Sequence, residues 1–176
     1  LSKFAVDKYI APGASELTNV DIPDMSSYDD QSAYWLSNFF LNSVFRADWK
    51  PEYRPYAYNF LRRDEAAFSA HCKARRHTIA FVDGQRQSPA QYAKALLYWE
   101  IFLGQSWHAL ELLSRPFKLT IFEQGSGSLE ERLNALYNSM KHVQSRIAAG
   151  QILDGATVPV WLTQTGLRSV DHTLTY

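Results

Sequence analysis

The chain has 176 residues, 46% apolar and 20% charged, a globular composition with enough length for one domain and a sizeable core. Eighteen basic residues balance eighteen acidic ones, which excludes the global positive field that drives sequence-independent nucleic-acid binding. No apolar run approaches the roughly 20 residues needed to cross a bilayer, so no membrane association is expected.

No secretory signal opens the sequence; the native protein is expected to extend beyond Leu1 and beyond the terminal Thr-Tyr. Residues 1–29 read as a loosely structured segment, with a short helix over Ser2 to Ile10 ended by Ala-Pro-Gly. Asp29 or Asp30 is placed to cap a single helix running to about Arg46. Tyr34, Trp35, Phe39 and Val44 are its expected buried residues, and Phe40, Leu41 and Phe45 add apolar surface. A helix apolar around so much of its circumference is either central or part of an interface.

Pro51 and Pro55 suit the first turn of the next helix, predicted to run to about Val82 and to close at Asp83-Gly84. Phe60, Leu61, Ala67, Phe68, Cys72, Ile79 and Phe81 mark its expected buried side. Arg62, Arg63, Lys73, Arg75 and Arg76 make it the most basic segment, partly offset by Asp64 and Glu65. Cys72 is the only cysteine. That excludes an internal disulfide and a Cys-based zinc site, and it fits a reducing, cytoplasmic setting.

Ser88-Pro89 is a strong start signal for a helix to about Ser114, with Pro116 just beyond. Tyr92, Leu96, Trp99, Leu103, Trp107 and Leu110 recur at threes and fours, the clearest apolar seam in the chain. Glu100, Gly104 and His108 share a flank. A partly buried Glu100 would need a partner, and His108 or a cation from another helix would serve; Glu100 or His108 could meet a polar stripe on a helix packed antiparallel, the favoured alternative being ordinary helix-surface polarity. Residues 118–124 read as a short extended segment. After Gly150, Pro159 and the β-branched residues of 157–176 predict a short hairpin or extended appendage, its first strand at an edge.

Ser128 to Ala149 is predicted as one amphipathic helix, opened by a capping box of Ser128 and Glu131. Leu129, Leu133, Leu136, Met140, Val143 and Ile147 form its apolar face. Asn134, Asn138 and His142 stack on one flank beside Lys141. Asn is a poor helix former, so two in register with a His point to a stripe with a purpose. One reading makes it nucleotide- or RNA-facing: His142 moves protons, Lys141 meets phosphate and the Asn amides orient the ligand. The other makes it a polar face whose amides bond neighbouring backbone. A bundle-core metal site would need Glu-x-x-His pairs, and none occurs; no metal and no cofactor are implied. Gly125-Ser-Gly127 lacks the spacing and Lys of a phosphate loop.

The run Arg132-Leu-Asn134-x-Leu-Tyr137-Asn138-x-x-Lys141-His142 resembles the motif helix of bacterial HEPN-type domains (higher eukaryotes and prokaryotes nucleotide-binding), over about Pro89 to Tyr176. The resemblance implies an all-α bundle of four to five helices, here with the short C-terminal β appendage, and a homodimer whose motif helices face each other. It implies a cytoplasmic role in a bacterial stress or defence system, as in toxin–antitoxin pairs, with RNA, a nucleotide or a partner protein bound. Active members carry an Arg, then four to six intervening residues, then the helix His. His142 matches that His, but Ala135, Leu136 and Tyr137 occupy the Arg positions. A binding or interaction module without strong catalysis is therefore expected first. A metal-independent ribonuclease, with His142 as acid or base and Lys141 and Arg146 holding phosphate charge, comes second. A structural subunit of a larger complex, marked by an uncovered apolar surface around Trp35, Phe39, Phe40 and Phe45, is a third reading.

Overall fold

Serine and proline set the frame. The Ser88 hydroxyl accepts the Gln91 N–H at 3.1 Å with Pro89 beginning the helix behind it, and Gly84 closes the preceding helix at φ 79°. A computed structural model describes residues 2–45, 50–84, 87–152 and 156–176. Two long helices, α4 (Arg54–Val82) and α5 (Pro89–Phe117), form an antiparallel hairpin, and each of their 29 residues rises about 1.5 Å. Around them lie α1 (Ser2–Tyr9), α2 (Ser26–Ser32), α3 (Trp35–Phe45), α6 (Leu129–Lys141) and α7 (Val143–Ala148). An antiparallel sheet of β1 (Trp161–Leu162), β2 (Gly166–Arg168) and β3 (Thr173–Thr175), in that order, completes the chain. The fold is an all-α bundle with a small C-terminal hairpin extension; β1 is an edge strand, and Pro159 lies just before it, outside the strand. Among the described residues no helix is long and apolar enough to cross a membrane.

The hairpin closes around small residues. Ala67, Ala70, Ala74 and Thr78 are buried along one stripe of α4, and the α5 seam Tyr92, Ala95, Leu96, Trp99 and Leu103 is buried opposite. The expected α4 face was larger: Phe60, Leu61, Phe68, Cys72 and Ile79 are only half-buried. Alanines win the contact because they let the helix axes approach enough for Trp99 to fill the gap. Its indole donates to Thr78 Oγ1 at 3.0 Å, and that hydroxyl donates to the Ala74 carbonyl at 2.8 Å.

The N-terminal segment contributes more than its composition predicts. Val6, Ala11, Ala14, Leu17 and Ile22 are core residues, and Lys3 Nζ donates to the Leu17 and Val82 carbonyls. The predicted helix from Asp29 to Arg46 is instead two, broken at Ala33-Tyr34. The side chains of Val44 and Phe45, and residue Arg46, lie outside the described residues. The predicted extended run over 118–124 forms no strand; Lys118 adopts a left-handed cap at φ 53° and the chain turns.

The sheet docks on the hairpin by polar anchors within an apolar contact. Leu162 N–H donates to the buried Tyr92 hydroxyl at 3.1 Å, and the Tyr176 hydroxyl donates to the Thr163 carbonyl at 3.0 Å. Val160, Trp161, Leu162 and Leu167 are buried around these bonds. Gly166 is obligatory, because a Cβ there would sit 2.0 Å from the Leu174 carbonyl oxygen. Replacing Tyr92 by Phe would orphan a buried N–H, at a cost of about 1–3 kcal/mol. Urea titration of Tyr92→Phe should show that loss, with Leu162 exchanging its amide proton faster than in the parent.

Candidate functional site

The start of α6 is built as its capping residues dictate. Ser128 Oγ accepts the Glu131 N–H at 3.1 Å. The Glu131 carboxylate reaches back to the N–H groups of Gly125 and Gly127, which hold its pKa below the ordinary range. The helix then ends at Lys141 rather than Ala149. His142 leaves helical geometry at φ −104°, ψ 23°, and α7 begins after it. The expected apolar face accordingly fails at both ends: Leu129 and Ile147 are exposed, while Leu133 and Leu136 are buried.

The stripe splits at the same point. Asn134 Oδ1 accepts the Trp107 indole N–H at 2.8 Å and the Asn138 amide at 3.2 Å. Tyr137 stacks on Trp107 with centroids 4.5 Å apart and shares a 3.3 Å hydrogen bond with His108 Nε2; Phe122 stacks on the same indole. Asn134, Asn138 and His108 are thus brought together, by Trp107 and Tyr137, and they join α6 to α5. His142 and Lys141 are exposed, and the His142 ring makes no hydrogen bond or ion pair among the described residues. Arg146 lies half-buried on α7, beyond the break.

His108 does not pair with Glu100, as the sequence predicted. Its Nδ1 lies 4.0 Å from Glu111, which also binds Arg115 at 2.7 Å. Burial first, then the Arg63 charge and the smaller contribution of Lys141, push the His108 pKa down against the pull of Glu111. Glu100 meets no member of the stripe by hydrogen bond or ion pair among the described residues, and burial raises its carboxyl. Cys72 is half-buried with its thiol pushed up by burial, so it is no activated nucleophile.

A sizeable concavity lies elsewhere, where α4 begins and α5 ends. A groove of about 740 Å³ runs between α3, α4 and α5, walled by Trp35, Phe39, Tyr56, Phe60, Leu113 and Phe117. Tyr53 stacks on Phe117 at 6.0 Å to fix one lip, and Trp35 packs edge-on to Phe68 at 5.8 Å to seat α3. Phe117 in its wall is more than half exposed, as are Phe40 and Leu41 of α3. Asp64 stands in this apolar wall, its carboxyl raised by burial alone and engaged in no hydrogen bond or ion pair among the described residues. A sequence signal for it exists: Ala57, Phe60, Asp64 and Phe68 share one face of α4, an acid within an apolar stripe. Counting Asp64 as an offset to nearby arginines hides that signal.

A second cavity of about 320 Å³ lies under the sheet, lined by His71, Trp99, Phe102, Leu133 and Tyr176 among others. His71 is 5% exposed, and its buried Nδ1 has no hydrogen-bond partner among the described residues. Trp99 and Phe102 meet the ring edge-on at 5.2 and 5.3 Å. Burial, helped by the Arg75 charge, lowers its pKa, so the ring is neutral inside the fold. No family model, curated protein or solved structure matches the chain.

The sign of the His71 effect is fixed. The unfolded ring takes up a proton below pH of about 6.5 while the folded ring resists it, so acidification favours unfolding. His71→Leu removes that linkage. Thermal melts between pH 7.5 and 5 should show the parent losing stability relative to the variant as pH falls; parallel curves would remove the linkage from His71.

Proposed function

We propose that this chain is a binding module without strong catalysis, and that its ligand enters the aromatic groove between α3, α4 and α5. The observation that carries this reading is the groove itself. Its volume falls within the range of drug-sized ligand sites, and its walls are apolar and aromatic with few polar groups. A helical hairpin normally covers such side chains with its own core; here they stay half-open, and burying them under a ligand supplies the driving force. The interaction reading made from the apolar circumference of α3 is kept and moved to a defined place. His142 has no role in this reading.

A second reading keeps the HEPN-like expectation of RNA or nucleotide contact. It is supported by Arg63 and Lys141, whose positive charges both act on His108 at the α5–α6 face. An anionic ligand there would bind with a steep salt dependence, which an apolar groove ligand would not show.

Ala57 lines the groove, so Ala57→Trp should fill it without disturbing the buried seam. Titration with 1-naphthylmethanol, followed by tryptophan fluorescence, should give saturable binding to the parent and at least about tenfold weaker binding to the variant. Equal binding to both would place the ligand outside the groove.

A further inference from the structure

We propose that the groove selects an organic cation: a small aromatic or alkyl ammonium compound held by the ring faces with its charge against Asp64. The proposal rests on the groove being the binding site and adds the chemistry of what fills it.

Among the described residues that line the groove, Asp64 is the only charged one. The arginines beside it in sequence do not neutralise it. Arg63 donates to Gln105 Oε1 at 2.9 Å, and Arg62 is exposed. A carboxylate withdrawn from water without a partner is destabilising, and an incoming cation removes that cost while an incoming anion increases it. The walls favour the same sign of charge. Trp35, Tyr56 and Phe60 bring π-systems of the kind that attract ammonium groups to the wall, and at its lip the Lys50 ammonium already sits 5.8 Å over the Tyr53 ring. The net charge of the chain is zero, so the preference is local to this wall and not a general attraction for cations. The enclosed volume of about 740 Å³ matches one small molecule.

The test compares two probes of nearly equal shape: 1-naphthylmethylamine, protonated at neutral pH, and neutral 1-naphthylmethanol. Calorimetric titration of the parent chain should show the amine binding about fivefold more tightly, as expected for one half-desolvated ion pair. Asp64→Asn should weaken the amine to within about twofold of the alcohol and leave the alcohol unchanged, whereas Asp64→Glu should retain the preference. Because Asp64 has no partner to lose, the Asn variant should melt no lower than the parent. Equal binding of both probes to the parent overturns the cation preference while leaving the groove as a site. Retention of the amine's advantage in Asp64→Asn also overturns it. Failure of both probes to bind, or binding that survives Ala57→Trp, overturns the groove reading and this proposal with it.

Discussion

The Trp99 indole donates to Thr78, whose hydroxyl is tied to the Ala74 carbonyl one turn below. That pair sets how closely α4 and α5 run, and the rest of the molecule depends on the spacing. It is a buried polar link with both partners satisfied, so it fixes register without the penalty of an orphaned group. The alanine stripe beside it makes the approach sterically available. The Tyr176 ring lies 5.2 Å from Trp99, so the same indole also seats the residue that follows β3.

Close approach at one end of the hairpin produces opening at the other. In its middle, small residues of α4 face large residues of α5, and the two interdigitate. Towards the start of α4 the pairing becomes large on large, with Tyr56, Phe60 and Leu61 opposite Leu112, Leu113 and Phe117. Side chains of that size hold the axes apart, and α3 bridges the gap without filling it. The groove is therefore a consequence of side-chain volume along the hairpin. Asp64 is the one charged group among the described residues of the wall, and the proposed ligand charge would account for it.

Much of the fold was legible in the sequence. Ser88-Pro89, Ser128 with Glu131, and Gly84 are local signals whose chemistry is complete within a few residues, and each acts where it was read. The breaks at Ala33-Tyr34 and His142 were not legible. Both interrupt a continuous apolar period, and only the packing of neighbouring elements decides where such a helix gives way. The polar stripe was half legible: Asn134 and Asn138 do have a specific task, but it is structural, Asn134 receiving Trp107 to join two helices and Asn138 donating to Asn134. The groove was hidden because its walls come from α3, the start of α4 and the far end of α5, and no single periodicity reports a gap between them.

The five tryptophans allow one measurement to separate the sites. Trp35 lines the groove, Trp99 the cavity beneath the sheet, and Trp107 the α5–α6 face joined to Asn134. Indole N–H resonances followed by heteronuclear NMR during titration with 1-naphthylmethylamine should show Trp35 shifting in a saturable way while Trp99 and Trp107 stay in place. Movement of Trp107 with Trp35 unmoved would contradict the account and return the site to the helix of Asn134 and Lys141.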